Sequence, residues 1–186
     1  MKNSIQAIVA LVLAAAASGL HAATPEEEAK QLEAELAALP PQEKRFYELG
    51  DAAKEAFKKG KFIEARKLAL ELEQLTPHFK GNWNYGNAVQ DVNLVLGRLA
   101  LRAGDLDKAK EHLLAAGRSP GSPQMNSFGP NMSLAQDLLK NGEKVTVLEY
   151  FKLCRVFWKL EEGRLDQWTK EVEAGKIPEF GGNLVY

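Results

Sequence analysis

The chain has 186 residues, 45% of them hydrophobic and 26% charged, which is the composition of an ordinary globular protein and excludes a disordered or collagen-like one. Its 24 basic side chains face 25 acidic ones, so no overall positive field gathers nucleic acid, and no nucleic-acid partner is expected. A single cysteine, Cys154, excludes an internal disulfide, and three histidines leave little material for a transition-metal site.

Residues 1–23 read as a secretory signal. Lys2 supplies the positive start, Ala7 to Ala17 are eleven uninterrupted apolar residues, and small residues follow at Ser18, Gly19, Ala22 and Ala23. Eleven residues fall short of the roughly 20 that cross hydrocarbon as a helix. No cysteine follows the run to accept a lipid. The expectation is cleavage after Ala22 or Ala23, a periplasmic or secreted product, and no stable membrane insertion once the signal is removed. Residues 24–40 are expected to form an N-terminal helix. Thr24 can cap it, Pro25 occupies the first position where no amide hydrogen is missed, and Glu26 to Glu28 lie at the positive end of the dipole.

From residue 41 onward apolar residues recur at three- and four-residue steps, broken by Gly60, Gly104, Gly142 and Gly163. No sustained two-residue alternation occurs, so an all-α chain is expected. Gly60 to Ala65 and Gly104 to Ala109 both read glycine, polar, large apolar, any, charged, alanine. Ala53 stands seven residues before Gly60, and Ala65, Ala69, Leu72 and Pro77 follow it. The second unit repeats the pattern with Leu96, Gly97, Ala100, Leu106, Ala109 and Leu113, and with Pro120 one place early.

These positions resemble the tetratricopeptide repeat, two antiparallel helices A and B that cross on small residues. A third unit, with Leu134, Ala135, Leu138, Gly142 and Phe151, is degenerate: Val147 replaces the small residue and Lys144 the large apolar one. The glycines are spaced 44 and 38 residues apart, longer than the family's repeat of about 34. The resemblance implies a short α-α solenoid over residues 41–162, of two clear hairpins and one degenerate hairpin. A C-terminal capping helix and tail are expected over 163–186, with Leu165, Trp168 and Val172 on one stripe and an irregular surface tail from Ile177. Tyr150, Phe151, Phe157 and Trp158 read as core, and Cys154 with them, since no nearby histidine can serve it as a base. The stretch from Leu114 to Asn131 also resembles a group of uncharacterised bacterial exported proteins, which implies no activity.

Two stretches are too rich for connectors. His78 to Asn87 sets Phe79, Trp83 and Tyr85 among Asn82, Asn84 and Asn87, and Gly117 to Pro130 forms a fourteen-residue loop with three glycines and three prolines. In a right-handed helical solenoid both emerge on one edge, so Trp83 is expected near Phe128. Trp83, Asn84, Tyr85, Asn126, Ser127, Phe128 and Asn131 are the candidate binding residues, rigid aromatics beside donor-acceptor amides. The alternative is that the aromatics fill the gap between repeats and the asparagines cap helices, with Asn87 and Asn131 placed for it.

The resemblance further implies a concave face carrying Lys54 and Lys58, Arg98 and Arg102, and Gln136 and Lys140, a basic stripe suited to an acidic peptide. A solvated charged face is the other reading, because Glu55, Glu64 and Asp91 lie close in sequence. No nucleophile elbow, zinc-protease motif, phosphate-cradling glycine loop or Cys-x-x-Cys occurs, so neither an enzyme nor a cofactor or metal is expected. The expected function is that of an exported helical-repeat protein acting as a protein-interaction or adaptor module. The alternatives are a small-ligand-binding or enzyme-accessory protein using the two enlarged loops, and a purely structural subunit.

Overall fold

Amphipathic helices joined by glycine turns make up the computed structural model, which describes Lys30, Ala34 and residues 40–185. The signal expected over 1–23 lies outside the described residues, as does the helix expected over 24–40 apart from Lys30, Ala34 and Pro40. From Pro41 the chain forms eight α-helices and, among the described residues, no strand. They are α1 (Pro41–Lys58), α2 (Phe62–Leu75), α3 (Tyr85–Arg102), α4 (Leu106–Gly117), α5 (Pro123–Phe128), α6 (Ser133–Lys140), α7 (Lys144–Cys154) and α8 (Arg164–Glu173). Short 3-10 turns lie at Thr76–Phe79 and Gly181–Leu184.

Contacts divide the chain into two compact units, residues 1–48 and 49–186. In the first, Phe46 and Tyr47 meet edge to face at 5.7 Å. The second holds the hairpins.

One turn chemistry is used repeatedly. At Gly60 the amide donates to the Phe57 carbonyl and the next amide, Lys61, to Ala56. Gly104 and Asp105 repeat this with Leu101 and Ala100, and Gly142 and Glu143 with Leu139 and Leu138. The three glycines have φ of 74°, 83° and 83°, the left-handed conformation that lets a helix end while its last carbonyls keep partners. The next helix then starts within two residues, so consecutive helices pack antiparallel.

Small residues let these helices approach. Ala53 and Ala56 of α1, Ala65 and Ala69 of α2 and Val95 of α3 form one buried cluster. At Gly97 of α3 an added Cβ would run into the Leu134 side chain of α6 and come 2.9 Å from the His112 Cβ of α4. α2 packs on α3, α3 on α4 and α6, α4 on α6 and α7, and α7 on α8.

The larger core is aromatic and lies toward the C-terminus. Tyr150, Phe151, Phe157 and Trp158 are buried there, with Leu165, Trp168 and Val172 of α8. The tail departs from the irregular surface path expected of it. Phe180 is 2% exposed, with its ring edge-on to Trp168 at 4.9 Å and to Phe151 at 6.2 Å. Burying a phenylalanine stabilises by about 2–3 kcal/mol and so helps to anchor a glycine-rich segment that has no periodicity of its own.

Candidate functional site

The two enlarged loops meet. Ser119 Oγ donates to the Gly86 carbonyl at 2.7 Å, and Ser122 Oγ donates to Asn87 Oδ1 at 2.6 Å. Asn87 Nδ2 bonds both Asn84 Oδ1 at 2.8 Å and Gln124 Oε1 at 2.6 Å. Asn87 therefore lies inside α3 as a bridge between loops and is not the helix cap expected of it. Asn84 donates its amide to Asn82 Oδ1 at 2.8 Å, which folds the turn leading into α3.

Loop 117–131 contains a helix where an irregular loop is expected from its glycines and prolines. Ser122 Oγ accepts from the Met125 amide at 3.0 Å and Pro123 takes the first position of α5. That serine-proline pair is a helix-start signal legible in the sequence. The far end of the loop is pinned as tightly. Lys159 and Leu160 donate their amides to Asn126 Oδ1 and its carbonyl, at 3.0 and 3.4 Å. Asn183 Nδ2 donates to the Phe128 and Pro130 carbonyls at 3.0 and 2.9 Å, and its own carbonyl accepts from Met132 at 2.6 Å.

A buried polar network fixes the exit. Asn131 donates its amide to Gln90 Oε1 at 3.1 Å, and its carbonyl accepts from the Tyr150 hydroxyl at 3.1 Å. Gln90 Nε2 completes the triangle with Tyr150 at 3.4 Å. Asn131 Oδ1 accepts from the Ser133 amide at 2.8 Å, folding the entry to α6. Gln90, Ser119, Gln124 and Asn183 also belong to this arrangement. No local pattern singles them out, because the partners that place them here are 33 to 60 residues away.

The frame presents an apolar surface. Phe128, Val156 and Leu160 are 44%, 68% and 56% exposed, and Val156 borders an open recess of about 380 Å³. Pro120, Pro123, Asn126, Phe157 and Lys159 line it. Ser127 is exposed, and Trp83 of the loop before α3 and Tyr85, the first residue of α3, are half-buried.

The basic residues divide differently. Lys54 Nζ sits 2.9 Å from Asp91 and 3.0 Å from Asp51. Burial opposes its charge, but the two carboxylates outweigh it and hold the ammonium above the ordinary lysine range. Arg98 pairs with Asp137 at 2.8 Å and lies over the Phe57 ring at 4.5 Å. Arg102 lies over Phe62 at 4.0 Å. Lys58 is exposed, and Lys140 bonds the neutral Gln136 at 2.9 Å. The stripe is thus broken at Lys54 and Arg98 by acids reaching across from neighbouring helices.

Burial pushes the Cys154 thiol well above its ordinary range, so the nucleophilic thiolate is suppressed, and the adjacent Tyr150 hydroxyl is likewise raised by burial. His78 is exposed and His112 half-buried; among the described residues no three metal-ligating side chains converge. No protein-family model, curated protein or solved structure matches this chain.

Proposed function

We propose that the protein is an exported tetratricopeptide-like repeat protein that binds a protein partner, as an interaction or adaptor module in the periplasm or outside the cell. The repeated glycine turns support a solenoid reading, as does the order of packing: the A helices α3 and α6 touch, and so do the B helices α4 and α7. The observation that carries the function is the outward-facing Phe128 on a loop bracketed by α3, the 157–160 turn and the tail, together with the exposed Val156 and Leu160 of the segment that follows α7. Apolar side chains held in water on a stiff frame are pre-organised for a partner, since little chain entropy remains to be lost on binding. A small ligand suits the place less well. The recess is open, and Asn87 and Asn126 turn their amide groups to the frame itself.

Cross-linking capture from a bacterial envelope extract tests the reading, with a Trp83→Ala, Phe128→Ala double variant alongside. The expected result is a partner retained by the parent and lost by the variant. Identical captures by both proteins would remove the loop surface from the proposal. Fractionation of the expressed chain tests export separately: a shortened product in the periplasm or medium is expected.

A further inference from the structure

The three hairpin turns share one edge. Arg102, two residues before Gly104, stacks on Phe62, two residues after Gly60, at 4.0 Å. Lys110 of α4 reaches Glu143, the residue after Gly142, at 3.6 Å. Three residues beyond their glycines, two of the turns hold a large apolar side chain in water: Ile63 is 90% and Val145 77% exposed. The apolar face of α2 is Ala65, Ala69 and Leu72, so packing of that helix does not require an isoleucine at 63.

Charge is concentrated around the first turn. Residues 58–67 contain five basic side chains and one acid, although the whole chain is nearly neutral. Lys59 and Lys61 pair with Glu55 and Glu64. Lys58, Arg66 and Lys67 are exposed and carry no ion pair among the described residues. Lys144 adds another exposed cation beside Val145.

We propose that this edge docks on an anionic phospholipid surface, the lysines among the headgroups and Ile63 and Val145 at the boundary with the acyl chains. An apolar tip ringed by cations matches that interface, where each lysine adds roughly fivefold to partitioning and an inserted side chain adds its transfer energy. The enlarged loops join the opposite ends of the same helices, so a docked molecule keeps them free for a partner.

The test is sedimentation with vesicles of equimolar phosphatidylglycerol and phosphatidylcholine against pure phosphatidylcholine. The ratio of the two bindings cancels any contribution from the apolar segment 7–17. A high ratio that falls with salt is expected. Lys58→Gln with Lys67→Gln should lower the ratio by about 25-fold, and Ile63→Ser with Val145→Ser should lower binding to the anionic vesicles, relative to the parent, by about tenfold, all with unchanged circular dichroism because these side chains are exposed. A ratio of one, a ratio unchanged by the lysine substitutions, or binding to anionic vesicles unchanged by the Ile63→Ser, Val145→Ser pair would overturn the proposal. Equal affinity for soluble heparin, insensitive to Ile63→Ser, would also overturn it and assign the edge to a soluble polyanion.

Discussion

Gly86, in the first turn of α3, lies so close to the Gly121 carbonyl that a Cβ at position 86 would overlap that oxygen. The obstacle is backbone, which cannot rotate away as a side chain would. This contact sets how near loop 117–131 comes to the start of α3, and hence the whole pairing of the two loops.

Gly86→Ala gains the helix propensity of alanine, about 1 kcal/mol, but overpacking of this kind costs about 1–3 kcal/mol. A net destabilisation of up to about 2 kcal/mol is expected in urea unfolding. Gly81→Ala is the control: nothing lies within 4 Å of its Cβ position, and it should leave the midpoint unchanged.

Tyr150→Phe removes the hydroxyl that donates to Asn131 and accepts from Gln90. Both are buried, so unmet groups remain, and the loss should be about 1–3 kcal/mol. Gln90→Leu strands the Asn131 amide and should cost a similar amount. The two losses should not add, because the residues belong to one network; a double-variant cycle measures the coupling.

Acid should weaken the fold through His112. Asn93 Nδ2 donates to the Val89 carbonyl at 2.8 Å, which turns Asn93 Oδ1 toward His112 Nδ1 at 2.9 Å. A ring that donates there and stays neutral suits the site, since burial first and Lys108 second hold the imidazole below its ordinary 6.5. Below that value the unfolded chain binds the proton more readily than the folded one, so this contribution is complete above 6.5 and declines as pH falls toward the lowered folded value. Unfolding free energies at pH 8 and pH 5.5 should differ more for the parent than for His112→Gln; equal differences would contradict the assignment.

Cys154 should resist iodoacetamide in the native protein at neutral pH and react once urea unfolds the chain. The residue is 0% exposed and the thiol pKa is raised by burial, so both access and thiolate fraction oppose alkylation. Labelling measured by mass against urea concentration should follow the unfolding curve.

The helices and their turns were legible from the residues because their causes are local. Gly60, Gly104 and Gly142 end helices by their own backbone freedom, and three- and four-residue steps of apolar side chains define the faces that must pack. The small residues Ala53, Ala65, Gly97 and Ala109 marked the crossings for the same reason. Ser122 and Pro123 announced α5 just as locally, but the surrounding glycines and prolines obscured them.

What the tertiary structure decided is where the polar and charged groups end their reach. Asn87, Asn126 and Asn183 carry the same amide, and only the fold determines that each closes a bond within the frame. Lys54 and Arg98 are charged in any structure, yet their pairing with Asp91 and Asp137 depends on α3 lying against α1 and α6. A backbone conformation is set by a residue and its immediate neighbours, whereas a hydrogen bond or ion pair is set by whatever distant segment arrives within about 3 Å. The chain alone therefore specified its helices, and the packing of those helices selected which side chains remain facing outward.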